Sequence, residues 1–195
     1  MAKKKPLKQK PLIDIQKIKA FMFEPAKAFK KEEKTHLREA FIWVAVLGIP
    51  YAVLAGIFST LLANIVIGDF SFFPANPLFN TLVPMIMAMA MAYAGVLVGP
   101  FIGALFVHLG VLMMGGKKGF KQTYKATLFA HTPVLALGWI PVIGTFFSLW
   151  TFIMNIIGVR TYHKLTTRKA IIAVILPALL ITLIAGFLAR SFLVF

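Results

Sequence analysis

Residues 41 to 67, FIWVAVLGIPYAVLAGIFSTLLANIVI, form an apolar run without one charged side chain. A helix needs about 20 such residues to cross roughly 30 Å of hydrocarbon, so this run can span a bilayer. The next uncharged run covers residues 81 to 114, a length of 34. At about 1.5 Å per residue it would make about 51 Å of helix, more than an upright crossing uses. Between the two runs, GDFSFFPANPLFN at 68 to 80 reads as an aromatic-rich surface loop. A further 34 uncharged residues separate Lys125 from Arg160 and are broken by GWIPVIG at 138 to 144, which predicts a hairpin with arms over 125–139 and 141–159. Such short arms either cross with flanking cations snorkelling or enter partway and return. The last span is expected over 170–189, opened by Thr166 or Thr167 as a cap.

Charge gives these runs a direction. The chain holds 21 Lys and Arg against 6 Asp and Glu, for a net charge of +15. Twelve of the cations lie in residues 1–40, four between Lys117 and Lys125, four between Arg160 and Lys169, and one at Arg190. In a soluble protein this excess would point to nucleic acid. Here 59% of residues are hydrophobic and the cations gather at the ends of apolar runs, as a bilayer requires. Two crossings within 81–114 would place the Lys117–Lys125 cluster opposite the basic amino end, so one crossing is expected, its excess length taken up by tilt, a kink at Pro100, or a first turn in the interface near Pro84. The fold class is an all-α integral membrane protein with five transmembrane helices, residues 41–195, preceded by a basic segment, residues 1–40. Its amino end is expected in the cytoplasm, its carboxyl end outside, and its location in the cell membrane. Leu12, Ile15, Ile18 and Met22 recur at near-helical spacing among lysines, with Phe21 and Phe23 beside them, which predicts a cytoplasmic interfacial helix. The first 20 residues lack the apolar core of a secretory signal, so no cleaved leader is expected.

Small residues mark the faces that meet. Ala92, Gly95, Gly99, Gly103 and Gly110 fall on one flank of the second span and are expected to pack against a neighbouring helix, as rows of small residues do in lipid. Gly144, Ser148, Thr151, Asn155 and Gly158 form a small or polar seam on the fourth span, and Thr127, His131 and Gly138 a sparser one on the third.

Chemistry is sparse. There is no cysteine, no HExxH and no histidine pair at helical spacing, so neither a metal nor any other cofactor is expected. No acid lies within a span, which argues against proton relays and carboxylate catalysis. GGKKG at 115 to 119 lacks the GxxxxGK[ST] pattern of a phosphate loop and follows an apolar run instead of a strand. His108, His131 and Asn155 fall at similar depth near the inner surface. Either they form a polar cluster bridging three helices, or each bonds locally or to penetrating water.

The stretch GGKKGFKQTYKATLFAHTP (115 to 133), GWIPVIGTFFSLW (138 to 150), GVRTYHKLTTRKAIIAVILP (158 to 177) and FEPAKAF (23 to 29) together resemble the Yip family, the Ypt-interacting-protein domain of five-span membrane proteins, in its prokaryotic or archaeal form. The resemblance implies a non-catalytic role in membrane organisation or vesicle traffic, with small GTPases or other family members as partners. The expectation is a scaffold or adaptor, not an enzyme, that presents Lys117, Lys118, Lys121, Lys125, Arg160, His163, Lys164, Arg168 and Lys169 to anionic headgroups, to protein partners or to a second copy, and not to nucleic acid. The alternatives are a small-solute transporter or channel using the polar seam of the third and fourth spans, and a lipid-modifying enzyme using His131 and Thr132.

Overall fold

The computed structural model describes residues 13–67 and 76–193, and among these every regular element is helical. Leu12 and residues 68–75 of the expected loop lie outside the described residues.

The basic segment folds into two short helices. Helix α1 (Ile15–Phe23) starts at Asp14, whose carboxylate accepts a hydrogen bond from the Lys17 amide at 3.1 Å. That cap satisfies an amide otherwise left without a partner. Helix α2 (Pro25–Lys31) opens on Pro25, suited to a first helical position because it has no amide to leave unpaired there. A 3₁₀ turn, Glu32–Lys34, leads into α3 (Leu37–Ile67).

Helix α4 (Pro77–Met113) is capped by Asn76 and runs for 37 residues through Pro84 and Pro100. One unbroken helix leaves no reversal inside 81–114, in keeping with a single crossing.

The third expected span differs from its sequence reading. It starts earlier, as α5 (Phe120–Ala130), and is broken at His131 before α6 (Thr132–Leu137). Pro133 is the cause: without an amide hydrogen it cannot continue the ladder from α5, but it fits the first turn of a new helix. The chain then reverses and continues as α7 (Ile143–His163) and α8 (Thr167–Leu193). At the reversal, the Ile143 amide donates to the Pro141 carbonyl at 2.7 Å and Val142 has φ 66°, a γ-turn of the strained positive-φ kind.

Helices α3, α4, α8 and α7 pack in succession, and α2 lies on α7. Lys17 of α1 reaches back over Trp43 of α3, 4.7 Å from its ring centre. The α5–α6 pair packs against α3, α4 and α7, and α6 also against α1. Residues Lys125 to Ala130 are all buried. A helix shielded by protein need not be apolar all round, which is why this one carries threonines, a lysine and a histidine.

Close backbone approach occurs where the sequence reading did not place it. On α3, Gly48, Ala52, Gly56 and Thr60 are buried at every fourth position. A Cβ on Gly48 would lie 2.5 Å from Val96 and one on Gly56 2.9 Å from the Met89 amide nitrogen, so this row is the seam with α4. On α4, only Gly110 of the expected row is so tight, against the Ala173 carbonyl of α8. Gly95, Gly99 and Gly103 have nothing within 4 Å of a would-be Cβ, and they line a cavity instead of an interface. Ala92 is half-buried, and Gly144 meets the Gly138 carbonyl across the reversal.

Candidate functional site

At its base the bundle is closed by the amino-terminal helices. Phe21 is fully buried, stacking on Phe129 at 5.2 Å and meeting Phe29 edge-on at 5.1 Å, while Phe29 meets Tyr162 at 5.7 Å. Such aromatic pairs add about 0.5–1.5 kcal/mol each beyond the burial of their area. The expected apolar stripe is therefore divided: Phe21 turns into protein, whereas Ile15 and Phe23 remain exposed.

Lys125 fastens this cap. Only 4% exposed, it donates from Nζ to the carbonyls of Glu33 at 2.6 Å and Thr35 at 3.1 Å, and it lies 4.8 Å from the centre of the Tyr162 ring. The Glu33 carboxylate pairs with Lys164 at 2.7 Å and Lys118 at 3.8 Å. The hydrogen bond from Lys164 holds the Glu33 carboxyl below its ordinary pKa, with further help from the neighbouring lysine charges, against a smaller opposing effect of burial. Lys17 pairs with Glu32 at 2.9 Å, and its ammonium sits 4.6 Å from the Phe129 ring centre.

The nine inner-face residues expected to meet headgroups or partners thus divide by environment. Lys117, Lys121, Arg160, Arg168 and Lys169 are exposed and have no acidic side chain within ion-pair distance among the described residues. Lys118 and Lys164 share Glu33. Lys125 and His163 are buried and bond to protein, so neither is available at the surface.

The expected trio His108, His131 and Asn155 is split between two places. His108 Nδ1 lies 2.8 Å from Thr123 Oγ1, which lies 2.9 Å from His163 Nε2. A hydroxyl donates only once, so at least one ring nitrogen must donate to Thr123. This bridge joins α4, α5 and α7. His131 bonds through Nδ1 to the Thr127 carbonyl at 2.7 Å, and Asn155 through Nδ2 to the Thr151 carbonyl at 3.1 Å. Both of these side chains line a cavity of about 420 Å³ between α3, α4, α6, α7 and α8.

That cavity has two kinds of wall. Gly95, Gly99 and Gly103 present bare backbone on one side, and Val96, Phe106 and Phe152 supply apolar surface. Thr127, His131, Ser148, Thr151 and Asn155 make the polar side, with no carboxylate among the lining residues. Thr127 Oγ1 and Asn155 Oδ1 are buried without a hydrogen-bond partner.

The architecture is that of a multi-pass membrane protein: three helices among the described residues, α3, α4 and α7, are long and apolar enough to cross a bilayer, and their exposed surface is rich in large apolar side chains. The chain belongs to the Yip1 domain family, whose profile matches residues 19–189. The family is not a known enzyme family. No curated protein and no solved structure matches the chain.

Proposed function

We propose that this protein is a non-catalytic membrane scaffold or adaptor that uses its basic inner face to hold anionic lipid headgroups or acidic protein partners. The observation that carries the reading is the set of five exposed cations at or near the helix ends that have no acidic partner among the described residues: Lys117, Lys121, Arg160, Arg168 and Lys169. Each cation near an anionic surface contributes about 1 kcal/mol, so five together would retain lipid against exchange. Ile15 and Phe23, exposed beside the lysines of α1, would rest in the headgroup layer of the same leaflet. A second copy of the chain, or a small GTPase as the family resemblance suggests, are the partner classes for this face.

Five crossings suit this arrangement: α3, α4, the enclosed α5–α6 pair, α7 and α8. The amino end would lie in the cytoplasm and the carboxyl end outside the cell membrane. Tags on the two ends that react from the same compartment would overturn this topology. For the inner face, the test is lipid retained by the purified full chain. Anionic lipid should be enriched over zwitterionic lipid, and the enrichment should fall when Lys117, Lys121, Arg168 and Lys169 are all changed to Gln. Equal retention in both proteins would refute the reading.

The cavity favours a second reading, a small-solute transporter or channel. Solute flux in vesicles that disappears with Asn155→Leu would promote it above the scaffold.

A further inference from the structure

We propose that the cavity between α3, α4, α6, α7 and α8 binds a neutral, single-chain amphiphile through a hydroxyl head, seated against Asn155, Thr127 and His131. This site stands apart from the inner face and does not depend on the scaffold reading.

Hydrogen bonding selects the head. Ser148 donates its hydroxyl to the Gly144 carbonyl at 2.9 Å and Thr151 to the Phe147 carbonyl at 2.9 Å. Asn155 gives an amide hydrogen to the Thr151 carbonyl, and His131 faces the Thr127 carbonyl with Nδ1, which must therefore carry that ring's proton. These four side chains have each committed a proton to a helix carbonyl. What they have left uncommitted is chiefly lone pairs: the two hydroxyl oxygens, Asn155 Oδ1, which is buried without a partner, and His131 Nε2. A ligand that satisfies them must bring a donor. Thr127, 2% exposed and with Oγ1 unpartnered, can answer with a donated proton of its own.

Charge selects against a cation. No acid lines the cavity, and a positive ligand in a site at membrane depth would have no counter-charge. An alcohol meets the same lone pairs without that cost.

Size and wall chemistry select the tail. About 420 Å³ lies within the roughly 300–1,000 Å³ common for small-molecule sites. Water alone would need on the order of ten molecules, each seeking 2–4 polar partners, and the wall offers too few. The bare strip of Gly95, Gly99 and Gly103, exposed at Gly95 and Gly99, leaves a channel open at the protein surface for a hydrocarbon chain.

The same strip supplies the test. Since nothing lies within 4 Å of a Cβ at Gly99 or Gly103, Gly99→Leu and Gly103→Leu should fill the channel without disturbing helix packing. The full chain, in phosphatidylcholine vesicles, is photolabelled with hexadecanol carrying a diazirine on its chain. Label is expected on peptides spanning residues 95–107 and 148–155. Unlabelled hexadecanol should compete about tenfold better than hexadecyl methyl ether or hexadecylammonium, a ratio on the scale of one hydrogen bond. Either leucine variant should lower labelling about tenfold with an unchanged thermal midpoint, and Asn155→Leu should narrow the preference for alcohol over ether. Labelling unaffected by both leucine variants would show that the probe reads only the lipid-facing surface. Equal competition by the ether would show that no donor is recognised, and equal competition by the ammonium that charge is not rejected. Any of these results overturns the proposal.

Discussion

Lys125→Met tests the clasp at the base of the bundle. Methionine keeps the length and apolar stem of the side chain and removes the ammonium, so the carbonyls of Glu33 and Thr35 lose their donor. A hydrogen bond to a charged group contributes about 1.5–3 kcal/mol, which sets the gross loss for two at roughly 3–6 kcal/mol. Part of this returns, because the mutant no longer has to desolvate an ammonium that is 4% exposed. A net loss of about 2 kcal/mol in the docking of α1 and α2 remains, equivalent to roughly 30-fold in the opening equilibrium. Hydrogen exchange of the full chain in lipid nanodiscs reads this directly. Amides from Ile15 to Thr35 should exchange about 30-fold faster, while those in the middle of α7 should hold their wild-type rates. Exchange within about threefold of wild type across Ile15–Thr35 would refute the clasp, and equal acceleration in α7 would show general unfolding.

Three further outcomes are expected. Gly110→Ala drives a methyl into the Ala173 carbonyl and should cost about 1–3 kcal/mol in thermal or denaturant stability, whereas Gly99→Ala meets open space and should be neutral or gain up to about 1 kcal/mol from helix propensity. Because the Glu33 carboxyl is held below its ordinary value of 4.5, its contribution is present above that pH and is lost as pH falls through the folded value; α1–α2 exchange should accelerate only below about pH 4.5, and Glu33→Gln should remove that acid limb. Val142→Gly should raise the thermal midpoint, since relief of about 1–3 kcal/mol of positive-φ strain outweighs the added freedom of the unfolded chain.

Much of the helical plan could be read from uncharged runs, because a bilayer punishes charge so heavily that span limits show in composition. The long run at 81–114 and the reversal near Pro141 are both present. The inside of the bundle was less legible. The row Gly95, Gly99, Gly103 looks like a packing face, yet a one-dimensional pattern cannot tell a missing side chain that admits a neighbour from one that leaves a void. The real seam with α4, Gly48 to Thr60, has the same four-residue period but was hidden by bulky residues on either side. Thr123 continues the Thr127 and His131 row by one more turn, a signal that could have been used. Its partners His108 and His163 lie on two other helices, and no local pattern joins them. From sequence alone Lys125 looks like a surface charge, because lysines at span ends usually are; only the fold brings Glu33 and Thr35 over it.

The enclosed α5–α6 pair also constrains how the chain is made. With Lys125, Thr127 and His131 along its length, this segment gains little from contact with lipid tails before its neighbours exist. It is synthesised ahead of α7, which completes its enclosure. Biogenesis must therefore hold it in a sheltered or waiting position, and entry into the bilayer becomes a joint event with the helix that follows. A nascent chain released just after residue 140 should be handed to quality-control proteolysis, while one released after residue 193 should not.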